Sequence, residues 1–303
     1  MESILDQLPS GARAAVIRLR SLGDCVLTTP ALEILKRSRP DLDVAVMVED
    51  RFAGVFEGNP DVDRILPPRL SALRKWAPAL TINLHGGPRS MAFSFASGAR
   101  FRAGFGHHRY AFVYNVPIPP PQEILGFSRR AHTAEHLASA VFYLGARLCE
   151  IPRAKLFAQP NGEEQPYAVL HPVASAQDKT WPVAGFLEVA RHFEEKWGLE
   201  PVFIGAAEDD MAAFRGYRVV TGAPLSRLKT LMARASAFVG NDSGPAHMAA
   251  AFGIPSVVVF GNSDLELWRP WKAQAEVVAA PGPIAEVRPG TVIAALDRLK
   301  VAV

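Results

Sequence analysis

Short apolar runs rich in β-branched residues alternate along the whole chain with longer stretches whose apolar positions recur at helical spacing. In the first half, the runs at 14–19 (AAVIRL), 44–48 (VAVMV), 63–66 (DRIL) and 80–84 (LTINL) predict strands. The stretches 29–38, 69–77, 88–97 and 131–145 predict helices between them. In the second half, 167–171, 201–205, 217–221, 237–240 and 256–260 predict strands, with helices over 183–197 and 224–235. Such alternation implies parallel sheets built from βαβ units. The stretch 153–166, containing Pro160-Asn161-Gly162-Glu163-Glu164, predicts a linker. Two α/β domains result, residues 1–157 and 158–303, with the last helix free to pack back on the first.

Ligands of open parallel sheets bind beyond the carboxyl ends of the strands, which directs attention to three loops. Segment 237–261 carries the strongest signal. There Asn241-Asp242-Ser243-Gly244-Pro245 leads into a helix with proline near its first position. First-turn N–H groups lack internal partners and sit at the positive end of the helix dipole, an arrangement suited to a diphosphate. Ser243 adds a hydroxyl and His247 follows one turn later, although the same residues also suit plain N-caps and a core histidine. In 171–182 (HPVASAQDKTWP), Lys179 stands between a strand end and a helix start, able to reach phosphates or simply to face water. In 18–36, the first strand runs into Ser21-Leu22-Gly23-Asp24. A proline inside a helix breaks a hydrogen bond, whereas Thr29-Pro30 suits an N-cap and first helical position. A helix starting there leaves Asp24 on a loop facing the cleft between domains, where its carboxylate can take a proton from an attacking hydroxyl. Asp24 as an ordinary helix cap is the other reading.

No dinucleotide fingerprint, Walker lysine, nucleophile elbow or HExxH motif is present in the sequence. His107-His108 reads as a surface pair, and Trp181, Trp268 and Trp271 as packing anchors.

At 303 residues, 49% hydrophobic and 21% charged, the composition excludes global disorder and suits two compact domains. The most apolar stretch, 246–260, is interrupted by Gly253 and Pro255 and falls below the ~18 residues of a membrane span. No secretory signal is legible, and Cys25 and Cys149 make neither a disulfide framework nor a metal cluster. The expectation is a soluble cytoplasmic protein. Charge is uneven: residues 1–150 carry 18 Lys+Arg against 14 Asp+Glu, and the segment 64–122 holds eight basic residues and no acid. Arg89, Arg100, Arg102 and Arg109 lie there among Trp76, Met91, Phe93, Phe95, Phe101 and Phe105. Such a surface attracts phosphates or anionic lipid headgroups, unless its arginines are merely solvated. Nucleic acid is not expected, since no recognition motif accompanies the charge.

Together these loops resemble glycosyltransferase family 9, the family of the ADP-heptose:lipopolysaccharide heptosyltransferases. The resemblance rests on Asp242-Ser243-Gly244-Pro245-Ala246-His247, then Gly253-Ile254-Pro255 and Phe260-Gly261, and at the start on Arg18, Gly23-Asp24, Val26-Leu27 and Pro30-Ala31-Leu32. Ile82-Asn83-Leu84-His85-Gly86, Arg89-Ser90 and Arg102-Ala103-Gly104-Phe105 match its middle segment. His171-Pro172 with Lys179 and Trp181-Pro182 fits its phosphate loop, and His132 with Glu135 its interdomain helix.

The resemblance implies a GT-B architecture: two Rossmann-like parallel-sheet domains facing across a cleft, acceptor in the first and nucleotide-sugar donor in the second. It implies inverting, metal-independent transfer without a cofactor, from a donor such as ADP-heptose to a lipopolysaccharide-core or related anionic glycolipid at the inner face of the inner membrane. Asp24 is then the general base, Lys179 is the other catalytic residue, and Gly23 contacts the donor sugar or fixes the turn. Lys179, Ser175, Ser243, Gly244, Pro245 and His247 hold the diphosphate, and Asp242 and Asn241 contact the donor sugar or fix the turn. Glu208 takes the ribose, Thr221-Gly222-Ala223 line the base pocket, and Arg89, Arg100, Arg102 and Arg109 meet the anionic acceptor. Two departures stand out: Val173 occupies the place of a usual glycine after His-Pro, and the chain is somewhat short for the family, as if an acceptor-side loop were trimmed. A nucleotide-sugar 2-epimerase on the same fold, or a non-catalytic nucleotide-sugar binder, are the alternatives.

Overall fold

The computed structural model describes residues 3–158 and 165–299, so the expected linker residues Pro160 to Glu164 lie outside the described residues. The chain divides into two compact units, Met1–Phe157 and Ala158–Val303.

In the first unit, strands β1 (Arg13–Ile17), β2 (Asp43–Met47), β3 (Arg64–Leu66), β4 (Leu80–Asn83), β5 (Phe101–Phe105) and β6 (Val116–Ile118) form one sheet in the order β3-β2-β1-β4-β5-β6. Every pairing is parallel, with Ala14–Ile17 of β1 in register against Leu80–Asn83 of β4. Helices α1 (Leu22–Ser38), α2 (Asp50–Ala53), α3 (Leu70–Trp76), α4 (Pro88–Ala96), α5 (Pro121–Leu125) and α6 (Thr133–Leu144) fill the crossovers and cover the sheet. Burial of β1 and β2 on both faces explains their continuous apolar sequences.

The first helix starts seven residues earlier than its sequence suggests. Asp24 is therefore not on a loop; it occupies the third position of α1 and forms a reciprocal cap with Ser21. Its Oδ2 accepts from the Ser21 N–H at 3.3 Å and the Ser21 hydroxyl at 2.9 Å. The helix tolerates Pro30 because its neighbour replaces the missing donor. Proline cannot bond the Val26 carbonyl, and the Thr29 hydroxyl donates to that carbonyl instead at 2.8 Å.

The second unit repeats the plan. Strands β7 (Tyr167–His171), β8 (Glu200–Gly205), β9 (Arg218–Thr221), β10 (Ala237–Asn241), β11 (Ser256–Phe260) and β12 (Ala275–Ala279) form a parallel sheet ordered β12-β11-β10-β7-β8-β9. Helices α7 (Val183–His192), α8 (Leu225–Ala233), α9 (Gly244–Phe252), α10 (Leu265–Trp268) and α11 (Pro289–Arg298) accompany it, with a π-helical turn at Phe193–Trp197 extending α7. Its core gathers Trp181, Phe186, Phe193, Phe203, Val257 and Leu296. The last helix, α11, packs on α7, β11 and β12 within its own unit. Each sheet reverses strand order once, between β1 and β4 and between β7 and β10, and such switch points are where α/β sheets open a crevice for ligands.

Candidate functional site

In the second unit, the switch point is framed by His171 at the end of β7 and by the turn that follows β10. Ser243 is the N-cap of α9, yet its hydroxyl makes no capping bond. It pairs with His171 Nδ1 at 3.0 Å, which leaves the first turn of α9, including the Gly244 N–H, without a side-chain cap. Pro245, without an N–H of its own, occupies the second helical position, where none is needed. Burial lowers the His171 pKa to about 4, so at neutral pH the ring is uncharged and fixes the hydroxyl as a neutral partner. His247 is 4% exposed, one turn into α9, its ring 6.2 Å from that of Trp268.

Asn241 anchors the facing loop. Its Oδ1 accepts from the Trp181 N–H at 2.9 Å, and the Trp181 indole donates to the Val287 carbonyl at 2.8 Å. This ties the end of 171–182 to β10, so Asn241 fixes the turn, and its buried Nδ2 has no hydrogen-bond partner among the described residues. Lys179 closes a short 3-10 turn, Gln177–Lys179. Burial pushes the Asp242 carboxyl above its ordinary value, and the Ser263 hydroxyl and the Lys179 ammonium oppose that shift. Lys179 therefore belongs to the same cluster as Asp242. The approach is close enough to demand glycine: a Cβ on Gly261, just past β11, would stand 2.4 Å from the Asp178 carbonyl. Ser175 is exposed on the loop, while Val173 turns its side chain against the core of the unit.

Glu208 is exposed beyond β8, and its neighbour Asp209 is the residue that shapes the loop, accepting from the Ala206 N–H at 2.6 Å. Thr221, Gly222 and Ala223 follow β9, joined to the β8 end through the Gly222 N–H and Gly205 carbonyl at 3.2 Å.

In the first unit, Arg18 and His85 follow the two strands at the switch point. Arg18 is 6% exposed, and its Nη1 donates to Asp24 Oδ1 at 3.3 Å. Burial lowers the Arg18 pKa while Asp24 raises it, so the carboxylate is the counter-charge of a buried guanidinium. Asn83 Oδ1 accepts from the His85 and Gly86 N–H groups at 3.1 and 3.3 Å, shaping the turn. Gly86, with φ of +75°, passes under the His108 ring, and a Cβ there would lie 2.3 Å from it.

His107 and His108 are thus more than a surface pair. Their centroids are 4.6 Å apart, and His107 lies 5.5 Å from His136 of α6, which rests 4.0 Å from Phe105. Burial brings His108 and His136 each to about 4 and lowers His85 and His107, so the four imidazoles are neutral at physiological pH. His136 Nε2 is buried with no hydrogen-bond partner among the described residues. Among the described residues, no group of three His, Cys, Asp or Glu is placed to hold a metal ion. In the sequence Arg18 and His171 carry part of the family resemblance without a role of their own, and His136 carries none; the signals for them are their positions directly after β1, at the end of β7 and at the head of α6.

The four acceptor-side candidates among the arginines of the acid-free segment, Arg89, Arg100, Arg102 and Arg109, separate. Arg100 and Arg109 are exposed, stacked over Phe101 and Tyr110. Arg89 is exposed but reaches Glu49 at 3.7 Å and the Pro68 carbonyl at 3.3 Å. Arg102 is structural instead: its guanidinium bonds the Val113 and Ala99 carbonyls at 3.1 and 3.3 Å, because a β5 side chain must satisfy the turn beside it. His132 and Glu135 likewise form the cap of α6, with Arg129 gripping both Glu135 oxygens at 2.7 and 2.6 Å.

The model of glycosyltransferase family 9 (heptosyltransferase) matches residues 71–288, more than two thirds of the chain. The chain belongs to this family. It is a glycosyltransferase, and the matched residues take in the Lys179 and Ser243 loops and stop short of Arg18 and Asp24. Among curated relatives, lipopolysaccharide heptosyltransferase 3 of Escherichia coli (strain K12) is 24% identical over 290 residues, covering 84% of this chain and 83% of the relative. Lipopolysaccharide heptosyltransferase 1 of Pseudomonas aeruginosa is 25% identical over 287 residues, 83% of this chain and 79% of the relative. The solved family 9 glycosyltransferase of Veillonella parvula superposes with a TM-score of 0.81 at 21% identity, over 95% of this chain and 97% of that one. E. coli ADP-heptose heptosyltransferase II gives 0.79 at 21% identity, over 95% and 98%. The fold is therefore GT-B, two Rossmann-like parallel-sheet domains. No helix among the described residues is long and apolar enough to cross a membrane.

Proposed function

We propose that this glycosyltransferase moves heptose from ADP-heptose to the core of a lipopolysaccharide or a related anionic glycolipid, with inversion and without a metal or other cofactor. One observation carries the donor half of the reading: the uncapped first turn of α9, with Ser243 held by neutral His171 and with Lys179 and Asp242 beside it. Negative charge grows on the leaving diphosphate, and a helix N-terminus with one ammonium offers fixed donors where it grows. Each such donor is worth about 2.7–4 kcal/mol of barrier. In this reading Ser243, Gly244, Pro245, His247 and Ser175 surround the diphosphate. Asp242 orients the sugar, Glu208 meets the ribose, and Thr221-Gly222-Ala223 line the base. A solved E. coli relative that carries ADP supports the choice of nucleotide.

The acceptor half is assigned to the first unit. An attacking hydroxyl becomes acidic only as its bond to the anomeric carbon forms, so a correctly placed carboxylate suffices as base. Asp24 takes that proton, oriented by Arg18 and Ser21, while the neutral imidazoles of His85, His108 and His136 offer bonds to uncharged hydroxyls. Arg89, Arg100 and Arg109 meet the acceptor's anionic groups, and in this reading the enzyme works on the cytoplasmic side, at the inner face of the inner membrane.

The test is calorimetric binding of ADP, UDP, GDP and CDP with and without EDTA, followed by transfer to a lipid acceptor. ADP-selective binding that survives EDTA is expected. A preference for UDP, or loss of binding in EDTA, overturns the donor and metal assignments respectively.

A further inference from the structure

On α4, Pro88, Met91 and Phe95 follow helical spacing and share one face. Met91 is buried at its base, and the face opens to solvent at Phe95. It opposes the 3-10 turn Ala111–Val113 across a groove of about 300 Å³ lined also by Tyr110, Phe112 and Val113. Phe112 and Phe95 are 83% and 64% exposed, the two most exposed large apolar side chains among the described residues. Isolated exposed hydrophobes are ordinary; two aromatics flanking one apolar groove mark an interaction surface.

The surroundings select the partner. Arg89 and Arg109 adjoin groove residues Pro88 and Tyr110 in sequence, Arg100 is exposed on the loop after α4, and the segment 64–122 contains no acid. Apart from Glu49, which Arg89 approaches at 3.7 Å, these three side chains contact a carbonyl and aromatic rings among the described residues, so their charge is largely uncompensated. A second copy docked here would set arginine against arginine. An anionic bilayer satisfies both features, since headgroups meet the guanidinium groups while aromatic side chains enter the acyl boundary.

We propose that the groove between α4 and the 111–113 turn is a bilayer-insertion surface, with Phe95 and Phe112 as its inserted side chains and an anionic phospholipid membrane as its partner. It rests on the reading above only in that a lipid-borne acceptor gives the docking its use.

Flotation of the full chain with vesicles, without nucleotide or acceptor, tests it. Wild type is expected to float with phosphatidylglycerol–phosphatidylethanolamine vesicles and not with pure phosphatidylcholine. Phe95→Ser/Phe112→Ser should lose about tenfold or more in partitioning, from the apolar area withdrawn. Arg100→Gln/Arg109→Gln should lose at least about fivefold at low salt and less at high salt. Unchanged ADP affinity and thermal midpoint in the phenylalanine pair show that the fold is intact. Equal flotation of that pair, or no flotation of wild type, overturns the proposal. So does a wild-type dimer that the pair splits, which assigns the groove to a second copy. None of these outcomes bears on nucleotide selectivity, so failure here and failure of the donor reading are told apart.

Discussion

Asp24 carries two demands on one carboxylate. It caps α1 through Ser21 and neutralises Arg18, and the proposed chemistry asks it to accept a proton as well. Asp24→Asn keeps one acceptor oxygen, enough for Arg18 or for Ser21 but not for both, and removes the base and the counter-charge. Turnover should fall by about 10²–10⁴, the thermal midpoint should drop, and the ADP dissociation constant should stay the same; near-normal turnover removes Asp24 from the mechanism. The imidazoles give a second prediction. His108, His136 and His171 stand at about 4 in the folded chain, below the ordinary ~6.5. The unfolded chain therefore binds their protons first as pH falls, so their stabilising effect is complete above about 6.5 and is lost between there and about 4. The thermal midpoint should decline across that window, less steeply in His136→Asn; equal slopes would mean that His136 is not held neutral by the fold.

At the scale of elements, what the sequence hides is mostly compensation between neighbours. Pro30 is a sound reason to start a helix late, and it fails because Thr29 supplies the Val26 carbonyl while also accepting from the Lys155 N–H at 3.0 Å. That second partner is 126 residues away, beyond any local pattern. Three strands lie outside the sequence expectations for similar reasons. β6 has proline at its centre, which an edge strand tolerates. β12 is a half-exposed edge, and β5 hides behind Arg102-Ala103-Gly104. By contrast β1, β2, β10 and β11 are buried on both faces and stand out in the sequence as apolar runs. The loop contact at Gly261 is a prediction of this scale. Gly261→Ala must move the Asp178 carbonyl, and Lys179 with it, so ADP affinity should fall about tenfold, within the ~1–3 kcal/mol of a forced overpacking. An unchanged affinity would detach Lys179 from the nucleotide.

Over the whole molecule, the same strand order occurs twice, and each copy has its own core and its own switch point. The loops 171–182 and 241–246 were legible because their glycine, proline and polar residues interrupt strong apolar strands. The imidazole cluster was not, since His85, His108 and His136 meet only through the ends of β4 and β5 and the head of α6. The two halves also differ in electrostatics, one presenting neutral imidazoles beside a buried Arg18–Asp24 pair, the other an uncapped helix end with Lys179. If diphosphate recognition belongs wholly to the second, ADP alone stabilises that unit by mass action, about 2.7 kcal/mol at a hundredfold excess over its dissociation constant. Hydrogen exchange should then slow in 171–182 and 240–247 while 18–24 and 85–108 keep their rates. Protection appearing first around Asp24 would move the phosphates to the first unit, where the guanidinium of Arg18 is already committed to a carboxylate.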